Sequence, residues 1–225
     1  MTEAEWLVCA DPAEMVDSLR GKVSGRKLRL FAAACVRRTW HLYKADVPYE
    51  VVVSERFADG DISIGQLRAV RSRLGARGGY STAWAANNAL HAVLETDPAI
   101  AAKSAIVHAG YIVYFAVLEK DVDWDRFQAE ATAARQAESW GQTEVLRDVM
   151  GNPFRPVGIE PPWRTPGVMS IAQAIYDGRA SDRMPALGDA LEAAGCDNSD
   201  ILSHCRSPDK HERGCWAVDA ILRRS

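Results

Sequence analysis

The sequence predicts an all-α protein, an irregular multi-helix bundle, on three observations. Prolines and capping residues stand where helices would start, glycines stand where they would stop, and no alternating strand pattern of useful length occurs. In chain order, the segment Thr2-Glu3-Ala4-Glu5 fits a capping box. The pairs Asp11-Pro12, Val47-Pro48, Asp97-Pro98, Met184-Pro185 and Ser207-Pro208 each place proline where a first turn would begin. There its missing N–H costs nothing, because first-turn N–H groups have no intrahelical partner. Asp or Ser before the proline supplies an N-cap oxygen in the first, third and last of these pairs. Gly21, Gly60, Gly75, Gly151, Gly178 and Gly195 are the expected stops.

Periodicity supports the same reading. Leu28, Phe31, Cys35 and Leu42 fall on one face of a helix over residues 26–43. A second long helix over residues 124–150 follows Phe127, Ala131, Ala134 and Ala137 and ends in Val145, Leu146, Val149 and Met150. Residues 51–53 and 111–115 have β propensity but lie inside longer helical frames, where burial overrides propensity. Residues 104–118 are apolar yet shorter than the ~20 residues a bilayer requires, so a buried helix is expected and no membrane partner.

The other prolines crowd into residues 152–167, NPFRPVGIEPPWRTPG, which reads as neither helix nor central strand because so many backbone donors are missing. Phe154, Ile159 and Trp163 make it too apolar for a free linker, so an ordered extended strap is expected. The organisation is therefore a helical bundle over 1–151, a strap over 152–167 and a C-terminal helical unit over 168–225, packed as one globular domain.

The chain has 225 residues, 48% hydrophobic, 25% charged, with a net charge of −3. Those values exclude collagen-like, disulfide-dense and wholly disordered classes. The acidic start, with Glu3 and Glu5, lacks the pattern of a secretory signal, so a cytoplasmic protein with reduced thiols is expected.

The densest metal-capable set is C-terminal: Cys196, His204, Cys205, His211 and Cys215. His211 and Cys215, at i and i+4, would share a helix face as half of a zinc site, whereas the adjacent His204 and Cys205 would point about 100° apart. Buried core cysteines outweigh ligands in this reading, because no C-x2-C knuckle is present. The same residues would serve a Cys/His nucleophile pair, though no catalytic motif accompanies them. Arg20, Lys22, Arg26, Lys27, Arg29, Arg37 and Arg38 form a basic stripe with no acidic residue among them. Arg26, Lys27 and Arg29 are its candidate phosphate contacts, but the net charge of −3 argues against nucleic acid. Arg155, framed by prolines, and Trp163, one of seven tryptophans, are the candidate partner-binding residues.

Three blocks carry a family resemblance: MTEAEWLVCADPAEMVDSLRGKVSGRKLRLFAAACVRRTWHL, LRDVMGNPFRPV, and AIYDGRASDRMPALGDALEAAGCDNSDILSHCRSPDKHERGCWAVDAIL. At these blocks the chain resembles a bacterial protein family present in many copies in some large-genome environmental bacteria. That family has no assigned activity, so the resemblance implies no catalytic residue. It often has further cysteines where this chain has Ala33 and Val36, which argues against a metal site around Cys35. The reading is a non-catalytic helical interaction or scaffold module with a protein partner and no cofactor. The alternatives are a zinc-stabilised helical binding module and a Cys/His-dependent hydrolase.

Overall fold

The computed structural model describes residues 1–44, 46–119 and 124–224, without the side chains of residues 124–127, so Trp124 and Phe127 contribute only their backbone. Among the described residues the secondary structure is helical, with no strand. The chain divides into two compact units, Met1–Leu146 and Arg147–Ser225.

The first unit contains α1 (Glu3–Val8), α2 (Pro12–Ser18), α3 (Gly25–Trp40), α4 (Tyr49–Ala58), α5 (Ile64–Arg71), α6 (Thr82–Val93), α7 (Pro98–Leu118) and most of α8 (Trp124–Met150). Local caps set these starts. Thr2 forms the expected capping box, and Asp11 and Asp97 each accept from two first-turn N–H groups ahead of Pro12 and Pro98. At the centre, α3 packs on α7, α4 and α6. Leu30, Phe31, Ala32, Ala33, Ala34, Cys35 and Val36 are all buried, so α3 is enclosed rather than amphipathic. Alanines of α7 at 101, 102, 105 and 109 are buried too, and such small side chains let helix axes approach closely. α7 spans 21 residues and is long and apolar enough to cross a membrane, and within this unit it packs on α3 and α6.

The second unit contains the last turn of α8, a 3-10 turn at Pro161–Trp163, α9 (Pro166–Gly178), a second 3-10 turn at Ser181–Arg183, α10 (Met184–Ala193), α11 (Ser199–Arg206) and α12 (Trp216–Leu222). Its core joins Trp163, Val168, Tyr176, Met184, Leu187, Leu191 and Ile221.

Several expected boundaries are corrected. The units part within α8 rather than after it, because the last turn of α8 bonds to residues near the C-terminus. The strap is not free of helix: Pro161 opens a 3-10 turn, and Thr165 caps α9 ahead of Pro166. Proline at N1 is harmless, so a proline-rich stretch can still start helices. Ser207-Pro208 ends α11 instead of starting a helix, since Ser207 is its extended C-cap and regular structure resumes only at Trp216. Gly178 lies inside α9, and Arg179 takes the left-handed turn at φ 52°. Gly151 is a true stop, with φ +70° and Trp216 Cγ 3.0 Å from where a Cβ would stand.

Candidate functional site

The C-terminal unit gathers Asp148, His204, His211 and Cys215, each offering one ligand-capable atom, with all of these atoms within 4.8 Å of one another. Asp148 comes from the last turn of α8, His204 from the last turn of α11, and His211 and Cys215 from the irregular segment before α12. His204 Nε2 lies 3.0 Å from Cys215 Sγ and 3.4 Å from Asp148 Oδ1. His211 Nδ1 lies 2.8 Å from Asp148 Oδ1 and 3.8 Å from Cys215 Sγ. Asp148 Oδ2 accepts from the Glu212 backbone N–H at 2.8 Å. The site is largely buried: the His211 and Asp148 side chains are 3% and 9% exposed, His204 is 18% exposed, and Cys215 is buried.

Burial pushes the Asp148 carboxyl up, but hydrogen bonds from His204, His211 and Glu212 outweigh it and hold the group below its ordinary range. Asp148 is thus an ionised acceptor at neutral pH. On the opposite side of His211, Nε2 is buried with no hydrogen-bond partner in the protein. The ring is therefore oriented for what Nδ1 faces, at the expense of Nε2.

Convergence decides the chemistry available. In a nucleophilic relay, the base turns one ring nitrogen to the nucleophile and the other to an orienting carboxylate. Here each histidine presents one nitrogen to both the thiol and the carboxylate, so the donor atoms point at a common space instead of forming a chain. The small cavity bordered by Tyr176, His211 and Cys215 measures about 10 Å³, barely one water molecule's room. A donor set of two imidazoles, one thiol and one carboxylate can hold a metal ion.

Of the five sequence candidates, the structure brings together His204, His211 and Cys215. Cys196 and Cys205 are buried in the apolar core of the unit, where burial raises the Cys196 thiol and pushes Cys205 up to about 12. His204 and Cys205 do diverge on α11, one to the cluster and one to the core. His211 and Cys215 do not share a helix. A turn joins them, closed by the Cys215 N–H donating to Glu212 O at 2.9 Å. Asp148 escaped the sequence reading because it lies far from the others in the chain. Its signal was electrostatic: a carboxylate in the last turn of a helix opposes the macrodipole and needs a local reason to be there.

The other candidates are placed as follows. Arg26 pairs with Asp59 at 3.0 Å and Arg37 grips Glu55 through two bonds of 2.8 and 2.9 Å. Arg29 is buried, donating to the carbonyls of Glu95 and Thr96 at 2.6 and 3.0 Å just past the end of α6. Lys27 is half-buried and its backbone N–H is capped by Ser24. Arg26, Arg29 and Arg37 are therefore engaged within the first unit, whereas Arg20 and Lys22 of the stripe are exposed. Trp163 is a core residue, not an exposed anchor, and Arg155 is exposed with Asp200 at 4.0 Å. The pre-organised arginine of the strap is Arg164, which donates to Ile159, Ala220 and Ile221 carbonyls and so caps α12.

No family model, no curated protein and no solved structure matches the chain.

Proposed function

We propose that the chain is a non-catalytic helical module that works by engaging a protein partner through its first unit. The observation that carries this reading is a groove of about 880 Å³, whose lining includes Val8, Pro12, Val107, Arg135 and Trp140. Val8, Trp140 and Val107 are 73%, 52% and 40% exposed, an apolar wall around an aromatic side chain of the kind that anchors interfaces. The burial of Cys215, only 2% exposed, supports the non-catalytic half of the reading.

Affinity purification of the native chain beside a Trp140→Asp, Val107→Asp variant tests it. A partner retained by the native chain and lost with the variant, at unchanged helical circular dichroism, is the expected result. An identical retained set for both proteins would overturn the reading. Rapid alkylation of Cys215 in the folded chain at neutral pH would instead mark an accessible thiolate and favour the Cys/His hydrolase.

A further inference from the structure

We infer that Asp148, His204, His211 and Cys215 form a closed, structural zinc site that clamps the C-terminal unit. The first ground is shape. With zinc–nitrogen and zinc–oxygen lengths of about 2.0–2.1 Å and a zinc–sulfur length of about 2.3 Å, tetrahedral ligands stand about 3.3–3.6 Å apart. Four of the six separations, 3.0, 3.8, 2.8 and 3.4 Å, bracket those edges, and all six lie within 4.8 Å. Small rotations of side chains would accommodate the ion.

Ligand chemistry is the second ground. Thiolate and imidazole favour zinc over calcium or magnesium, which take oxygen donors. Four protein ligands leave no open position, the mark of a structural rather than a catalytic centre. The third ground is the surrounding hydrogen bonding. The Glu212 N–H holds Asp148 Oδ2 at 2.8 Å, which leaves Oδ1 facing both histidines as a one-oxygen ligand.

The role follows from where the ligands stand in the chain. Asp148 and His211 are 63 residues apart, and the segment carrying His211 and Cys215 has no regular structure from Ser207 until α12 begins at Trp216. An ion there ties this segment to the ends of α8 and α11, and closing a long loop restricts the unfolded chain most. Metal binding should therefore be part of the unit's folding.

The test uses the full chain, purified without chelator and without an affinity tag that binds metal. Elemental analysis should give one zinc per chain. Replacement by cobalt(II) should give the visible bands of a tetrahedral thiolate complex, and titration with a chelator should lower the melting temperature. Cys215→Ser should abolish the thiolate-to-cobalt charge-transfer band, and Asp148→Asn should weaken metal binding by at least about tenfold. Cys196→Ser and Cys205→Ser, which alter core thiols outside the cluster, should keep one metal per chain. Should Cys215→Ser fail to fold, His204→Ala, at the most exposed ligand, carries the same expectation of lost stoichiometry. A folded native chain that takes up neither zinc nor cobalt overturns the inference, and so does binding that survives both Cys215→Ser and His204→Ala.

Discussion

Replacing Arg29 with methionine keeps an unbranched apolar stem as far as the position of Nε and removes the charged fork beyond it. That fork donates to Glu95 O at 2.6 Å and Thr96 O at 3.0 Å, with a marginal third contact to Val93 O at 3.5 Å. These carbonyls lie at and just beyond the C-terminal end of α6, where peptide oxygens lack intrahelical donors and the macrodipole favours a cation. Leaving a partly buried carbonyl unpaired costs about 1–2 kcal/mol, so the two good bonds amount to about 2–4 kcal/mol. Against this, burial disfavours the charged guanidinium and lowers the Arg29 pKa, although the nearby Glu95 and Asp97 carboxylates oppose that effect. Methionine escapes that penalty, which brings the expected net loss to about 2–3 kcal/mol. In urea, with a slope of about 1–3 kcal/mol/M, the midpoint of the affected transition should fall by about 1 M. Arg29→Lys keeps the charge but not the fork and should fall between the two proteins. A change within about 0.5 kcal/mol for Arg29→Met, the behaviour of a surface residue, would refute the capping role and return Arg29 to the pool of phosphate contacts.

Three further outcomes are expected. Gly141→Ala puts a methyl where the end of the Arg38 side chain lies, and because that flexible, 40% exposed end can move aside, thermal melting should change by no more than about 1 kcal/mol; a larger loss would mean that the 3.0 Å bond to Glu138 holds Arg38 in place. Gly151→Ala combines a left-handed backbone at φ +70° with a contact on Trp216, and should cost at least about 1–2 kcal/mol in guanidinium denaturation. Burial raises the Glu138 carboxyl although Arg38 pulls it down, so its contribution to stability is present below the ordinary carboxylate range and declines as pH rises through the folded value. Glu138→Gln should accordingly melt higher than the native chain at neutral pH, with the gap closing on acidification; a gap that widens on acidification would contradict the sign.

How far the sequence reached depends on the range of each interaction. Helix starts at Thr2, Asp11 and Asp97 were legible because a cap needs only the next three residues. The bounds of α8 followed from apolar spacing, and so did the burial of Leu28, Phe31 and Cys35 in α3, but Leu42, expected on the same face, lies past the end of α3 and is 39% exposed. Ser207-Pro208 misled because proline after serine marks a start or a stop with equal local logic, and only the contacts of the following segment choose. The same limit governs charge. Arg26, Arg29 and Arg37 look like a free stripe until Asp59, the end of α6 and Glu55 arrive from elsewhere in the chain. At the cluster, sequence alone determined that His204 and Cys205 diverge, since both sit on one helix. Tertiary structure alone determined that Cys196, Cys205 and Cys215 all enter the core and that, of the three, Cys215 also turns its thiol toward the histidines. It alone also delivered Asp148, because a carboxylate 63 residues from His211 becomes its neighbour only through packing that no local pattern encodes.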